Sequence, residues 1–484
     1  MDNAETRSEL PSGLVAFVKR DCPTCELIVP VLQQLAAGQD LTIFTQDDPS
    51  FPEGLESRDD TDLGLSYQHA VETVPTLLRI ESGTEKARAV GWHRGDWEAL
   101  TGLTDLGSAL PPFRPGCGSL SVEPENEAEL RVRFEGHTLG ARRVEIASLE
   151  DEMEALFDRG WTDGLPVVPP TERRVLAMLE GTTRVPGEVV ATVAPDLVEC
   201  TVEKVAINAV LAGCKPEYLP VVLAAVEATC TDRFNIHGVL ATTMGVGPTL
   251  IVNGPIRKAL GMNAGINVLG QGNRANATIG RALQLVIRNV GGGRPGEIDR
   301  ATYGNPGKLG LCFPEDEEGS PWEPLAADFG FETGTNTVTV FAAESPHNIV
   351  DQLSREPESL ARSLAGCLRA VHHPKLIIGF GAMLVIGPEH ARVFREGGWS
   401  KAKLKERLHE ILRFTGADLM RDAGGITEGI SLPPEMKDAQ LPKFKPDALH
   451  IVHAGGGAGL FSVILNGWLT GTEGSEPVTR EIRP

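Results

Sequence analysis

Apolar residues run unbroken through Leu14-Val15-Ala16-Phe17-Val18 and then recur at helical spacing from Leu27 to Leu35, so the chain opens with a buried strand followed by a helix. A further strand is predicted over Thr76-Leu77-Leu78-Arg79-Ile80, entered through Val74-Pro75. Residues 107–146 lose this order. Leu110-Pro111-Pro112-Phe113-Arg114-Pro115-Gly116-Cys117-Gly118-Ser119 reads as irregular chain, and an acidic stretch follows over 123–129. Past residue 147 the pattern alternates again. Ser148-Leu149-Glu150-Asp151 and Thr171-Glu172 each start a capped helix. Strand-like runs follow at 188–193, 250–252, 337–341, 375–380, 382–386 and 448–452, and helices at 202–211, 219–228, 277–290, 360–371 and twice within 389–414. Such alternation predicts an α/β fold class: a unit at 10–106, a linker at 107–146, and a larger α/β region of one or two lobes at 147–484.

Composition narrows the setting. The 484 residues carry a net charge of −21, which repels nucleic acid and anionic membrane surfaces alike. No run approaches the ~18 apolar residues of a membrane span, and the acidic start Met1-Asp2-Asn3-Ala4-Glu5 lacks a signal peptide's basic and apolar regions. Eight cysteines without a dense framework fit a reducing, cytoplasmic setting. Self-association into a homo-oligomer is the base-rate expectation for a chain of this size.

The first candidate chemistry is Asp21-Cys22-Pro23-Thr24-Cys25, two thiols opening a helix directly after a buried strand. Unpaired N–H groups at a helix start stabilise a thiolate, so Cys22 is the expected nucleophile; Cys25, one turn on, is placed to resolve a mixed disulfide. No second Cys/His pair follows at zinc-finger spacing. The run 17–30, Val74-Pro75-Thr76-Leu77, Glu81-Ser82-Gly83 and Gly91-Trp92 together resemble the thioredoxin superfamily over residues 10–105. That resemblance implies a cis Pro75 packed against Cys22 and shaping a docking groove. It departs in having Asp21 and Ala16 where thioredoxins carry a tryptophan and a buried acid. Cys117, between two glycines, could be the first partner of Cys22 or an exposed thiol without a role.

In the large region the candidates lie where strands run into glycine-rich turns. His450-Ile451-Val452-His453-Ala454-Gly455-Gly456-Gly457-Ala458-Gly459 could bring the backbone N–H groups of Gly455, Gly456 and Gly457 to an anion, although a tight structural turn is the simpler reading. Asn273 and Arg274 precede a helix, with Arg274 suited to a carboxylate, and Asn253 ends a strand. His237, placed before a probable strand, Glu203 and the Glu389-His390 pair are proton-transfer candidates. Cys214, beside Lys215, is the first-ranked internal partner for the dithiol, whereas Cys312 is followed by the acids Glu315-Asp316-Glu317-Glu318, which disfavour its thiolate. No cofactor is firmly implied. A metal site would have to be assembled from distant residues, because neither His372-His373 nor His450 with His453 puts two rings on one face of a strand. Gly160-Trp161-Thr162-Asp163-Gly164-Leu165-Pro166-Val167-Val168-Pro169-Pro170-Thr171 and Ala212-Gly213-Cys214-Lys215-Pro216-Glu217-Tyr218 resemble uncharacterised bacterial proteins associated with neighbours carrying UGSC-motif selenoproteins, which again implies thiol or selenol redox chemistry.

These readings converge on an oxidoreductase in which a CxxC module exchanges electrons with a larger α/β domain acting on a small anionic substrate, with a thiol or disulfide as electron partner. The alternative is a hydrolase or lyase whose chemistry lies wholly in the large region, with a histidine or carboxylate base and with Asn253, Asn273 and Arg274 as binders. A third reading is a non-catalytic scaffold or thiol-mediated metal carrier.

Overall fold

Strand Gly13–Val18 is buried along nearly its whole length because both of its faces are covered, which is why it reads as an unbroken apolar run rather than an alternation. In the computed structural model, which describes residues 10–134, 139–144, 146, 151–472 and 474–484, this strand is the centre of a five-stranded mixed sheet. It pairs parallel with Leu41–Thr45 and antiparallel with Thr76–Glu81; the outer strands are Arg58–Asp59 and Thr84–Val90. The helical pattern after Cys22 is divided into Pro23–Leu27 and Val29–Gly38, so Pro30 lies in the first turn of the second helix, where its missing N–H is harmless.

The chain divides into compact units over 1–138 and 139–484. The segment expected to be a linker belongs largely to the first unit. Arg94 donates to the carbonyls of Leu106 and Gly107, at 3.0 and 2.9 Å, and Trp92 Nε1 donates to Pro111 O at 2.7 Å. Trp92 itself is fully buried, edge to face with Trp97 at 5.3 Å. Phe113–Arg114 then pairs with Trp92–His93, Cys117–Gly118 with Thr73–Val74, and Pro124–Phe134 is helical. Irregular backbone is thus tied down by side chains that a periodicity pattern does not register. The expected helix start at Ser148 lies outside the described residues; the helix seen is Glu152–Asp158, capped by Asp151.

The second unit is built on a mixed sheet in the order Leu311–Pro314, Gly247–Asn253, Thr337–Val350, Phe461–Leu469, Phe380–Ile386, Leu449–His453, with Val478–Glu481 paired to Thr337–Val350. The first two strands run parallel, as do the last two; the other pairings in this order are antiparallel. Alternation along the strands sorts their side chains. Ile251, Phe313, Phe341, Met383, Val452 and Leu465, one from each of the six strands, meet in a single apolar cluster, so the sheet curls around that face. Its outer face is covered in two halves. Helices Val202–Ala212, Leu219–Thr229 and Arg274–Asn289 pack with Leu250, Val252, Val338 and Val340, while Pro357–Arg369, Pro388–Glu396 and Lys401–Ile411 pack with Ala382, Leu384, Leu449 and Ile451. The molecule is α/β, and no helix among the described residues is long and apolar enough to cross a membrane.

Two local readings are corrected. His237 does not precede a strand: Asn235, in the left-handed conformation, accepts from Gly238 N and starts the short helix Ile236–Ala241, and the next strand begins at Gly247. Residues 375–380 do not form a strand either. Lys375 Nζ is held by the carbonyls of Met420, Ile426 and Glu428, and extended pairing starts only at Phe380.

Candidate functional site

Cys22 caps helix Pro23–Leu27, its Sγ accepting from Cys25 N at 3.3 Å. The Val74–Pro75 peptide beside it is cis, and the Cys22 thiol reaches the Val74 carbonyl oxygen at 3.5 Å. Cys117 lies directly opposite Val74 in a two-residue antiparallel pairing, and its Sγ is 2.9 Å from that of Cys22. All eight cysteines are unpaired thiols.

These neighbours separate the three sulfurs chemically. Hydrogen bonding from the Cys25 side chain, then from Cys117 and the backbone of Cys25 and Thr24, lowers Cys22 to about 5 despite its burial. Burial pushes Cys25 far up, and hydrogen bonding to Cys22 pushes it further. Cys117 is raised as well, by partial burial and by donating to Cys22. The arrangement therefore holds one thiolate between two protonated thiols, the electrostatic condition for a nucleophile with resolving partners nearby.

A second polar centre sits where three strands of the large unit end. Asn253, fully buried, donates to Glu315 Oε2 at 2.8 Å and Glu317 Oε1 at 3.0 Å. Glu315 also accepts from Leu325 N and, at 3.3 Å, from His453 N; burial raises its pKa. The buried Arg257 guanidinium closes the cluster against Glu315 O, Glu317 and Glu318. His453 Nδ1 lies 2.8 Å from Ile386 O, which fixes the proton on Nδ1 and leaves Nε2 as the free base, 3.8 Å from Asp316 Oδ2. Burial lowers the His453 pKa, keeping it neutral.

The glycine loop leaves this centre directly. Gly455 has φ +125° and donates to Ala264 O at 2.9 Å, and a Cβ on Gly456 would come 2.9 Å from the Ile266 side chain, so both positions require glycine for a close approach between loops. Gly457 has open space around its Cα. Asn253 and the loop thus share one end of the sheet. Asn273 and Arg274 are occupied otherwise: Asn273 caps helix Arg274–Asn289 and donates to Gly261 O, while Arg274 Nε donates to Gly213 O at 2.9 Å.

Cys214 is buried with its thiol 3.4 Å from Thr278 O, and burial raises it to about 12, outweighing the nearby guanidinium groups of Arg274 and Arg281. Lys215 faces Glu217 at 3.6 Å. His237 is exposed on its helix. Glu203 is committed to the backbone N–H groups of Gly140 and Ala141, and His390 to Ser462 and Asp351 O. Sequence reasoning missed Glu315, Glu317 and Arg257; the available signal was an acid run placed immediately after strand Leu311–Pro314. Among the described residues, no group of three or more His, Cys, Asp or Glu side chains converges as a metal site. Comparison of the chain with protein-family models, with curated proteins and with solved structures finds no match.

Proposed function

We propose that the first unit is a thioredoxin-like thiol–disulfide oxidoreductase module, with Cys22 as nucleophile and Cys25 as resolving thiol, and that it exchanges electrons with chemistry on a small anionic substrate in the large unit. The observation that carries the first half is the Cys22 sulfur itself. It caps a helix beside a cis-proline, is lowered to about 5 by its hydrogen-bond donors, and has a protonated Cys25 one turn away. A thiolate persisting at neutral pH attacks a disulfide, and Cys25, on losing its proton, displaces the mixed disulfide to leave Cys22–Cys25 oxidised and the substrate reduced by two electrons. The thioredoxin-like reading assigns Val74 and Pro75 to the docking groove, and in this chain Cys117–Gly118 pairs along that edge.

For the large unit, the end of the sheet holding Asn253, His453 and residues 454–459 is the supported substrate position, because ligands of open α/β sheets collect beyond strand ends. The neutral His453 Nε2 also favours a second reading, a hydrolase or lyase with His453 as base. The deciding experiment is turnover of a dithiol-reducible substrate by the full chain before and after Cys22→Ser. Loss of reduction supports the redox module and retained reduction overturns it, whereas hydrolysis or elimination of a small anionic substrate that survives Cys22→Ser and disappears in His453→Gln supports the second reading.

A further inference from the structure

We propose that Cys117 is a third redox cysteine, the solvent-side port of the dithiol, which exchanges with Cys22–Cys25 to form an intramolecular Cys22–Cys117 disulfide. This inference rests on the dithiol reading of Cys22 and Cys25. Its first support is access. Cys22 and Cys25 are only 1% and 0% exposed, whereas Cys117 is half-buried and lies over Cys22 at 2.9 Å. A thiol arriving from solvent meets Cys117 first.

The second support is that Cys117 is delivered by a seated segment rather than a loose loop. On one side, Thr24 Oγ1 donates to Pro115 O at 2.7 Å. On the other, Ser119 N donates to Glu72 O at 3.0 Å, and the Ser119 hydroxyl joins a buried network with Gln46 and Ser121. Between these anchors a Cβ on Gly116 would come 2.7 Å from Val74 O, so only glycine lets this backbone lie flat against the strand before Pro75. Residues 115–118 thereby occupy the edge of Thr73–Val74 that an extended disulfide-bearing peptide would pair with.

The exchange is balanced within the unit. Cys117 gives up its proton, and its thiolate attacks Cys22 Sγ of the Cys22–Cys25 disulfide. A Cys22–Cys117 bond forms, the Cys22–Cys25 bond breaks, and Cys25 takes the electron pair and a proton. No net oxidation occurs, and the core is left with an uncharged thiol, which its burial favours. An external thiol then attacks Cys117 or Cys22 to carry the exchange outward.

The test uses the full-length Cys25→Ser protein, with Cys25→Ala as a second variant should the first fail to fold. It is treated with one equivalent of diamide, an azodicarboxamide that takes two electrons and two protons from a thiol pair, then alkylated in acid and mapped by mass spectrometry. The expected result is a Cys22–Cys117 link in most chains, surviving about tenfold more reduced glutathione than the Cys22–glutathione disulfide of Cys25→Ser/Cys117→Ser, as an intramolecular partner should. Recovery of Cys117 as free alkylated thiol, with Cys22 captured only by small thiols, overturns the inference. Wild-type protein treated in parallel separates the two failures. If it yields Cys22–Cys25, the dithiol reading stands while Cys117 is excluded; if it yields neither bond, the dithiol reading itself falls.

Discussion

Cys22 and Cys214 are equally hidden from solvent, at 1% and 6% exposure, and each stands at the end of a helix, yet one is lowered to about 5 and the other raised to about 12. Burial raises both sulfurs; at Cys22 the hydrogen-bond donors outweigh it, and at Cys214 they do not. Cys22 caps its helix and collects hydrogen bonds from Cys25 and Cys117, while Cys214 follows the left-handed Gly213 that ends helix Val202–Ala212 and sits against a carbonyl oxygen. The same amino acid is held toward its thiolate at a helix start and toward its thiol past a helix end.

Removing the proposed nucleophile is the strongest way to break this contrast. Cys22→Ser is expected to lower disulfide-exchange turnover by on the order of 10³-fold or more, with an unchanged circular dichroism spectrum. Cys214→Ser should leave turnover within about twofold; a large loss there would show that the buried thiol takes part after all.

Alkylation kinetics sharpen the comparison without mutation. The iodoacetamide rate at Cys22, followed by peptide mass spectrometry, should rise through pH ~5 and be flat above pH ~7, and at pH 7 exceed that at Cys214 by more than ~10²-fold. The linkage sign follows from the same shift. The folded Cys22 pKa of about 5 lies below its ordinary 9.0, so the thiolate stabilises the reduced fold fully above pH 9 and progressively less as pH falls to about 5. A Cys22 rate that still climbs between pH 8 and 9 would show that the donors do not hold the thiolate.

The large unit offers the reverse test, in which a buried acid is kept because its partners need it. Glu315 accepts from Asn253, Leu325 N and His453 N, so Glu315→Ala leaves the two backbone donors unpaired and Asn253 with Glu317 alone, and should cost about 3 kcal/mol, read as a lower unfolding midpoint. Phe394→Ala, which removes only fully buried apolar volume, should cost a similar ~3–5 kcal/mol by a different route. Glu315→Gln should recover much of the first loss and none of the second.

The two centres also differ in how far they were legible from sequence. Cys22, Cys25 and Pro75 are local signals, placed by an apolar run and a helix pattern next to them, and Asn253 was visible as the polar residue ending a strand. Cys117 was visible as a thiol that could partner Cys22 or stand exposed without a role; the contact itself was not legible, because it depends on Trp92 and Arg94 holding a proline- and glycine-rich segment back against its own sheet. Glu315 was read only as one of four acids disfavouring a thiolate at Cys312, yet strand Leu311–Pro314 carries it inside while Glu318 stays exposed and is lowered to about 2 by Lys258 and Arg257. Its partner His453 lies on a distant stretch of chain, and only the curl of the sheet joins them. His237 was misplaced although its signal was local, since Asn235 is a good helix cap and Phe234-Asn235-Ile236 only resembles the start of a strand.

The smallest expected effect concerns His450, whose environment is the apolar counterpart of that of Cys22. It stands on the inner face of the curled sheet between Phe329 and Phe341, at ring distances of 5.7 and 5.9 Å, and lines a cavity of about 230 Å³ with Trp468, Thr470 and Ser475. Its Nδ1 has no hydrogen-bond partner among the described residues, and burial lowers its pKa to about 3. The unfolded chain then binds a proton near pH 6.5 that the folded chain refuses, so this residue's contribution is intact above pH 6.5 and declines as pH falls toward 3, at up to ~1.4 kcal/mol per pH unit. His450→Phe should change stability at pH 7.5 by less than ~1 kcal/mol and flatten the loss between pH 6 and 4 in urea titrations. An unchanged acid slope would mean that His390, His409 and His453, all lowered by burial, carry the proton linkage instead. A buried group without partners for its charged form resists charge, as His450 does without an acceptor, and one given such partners, as Cys22 is by its donors, takes it on.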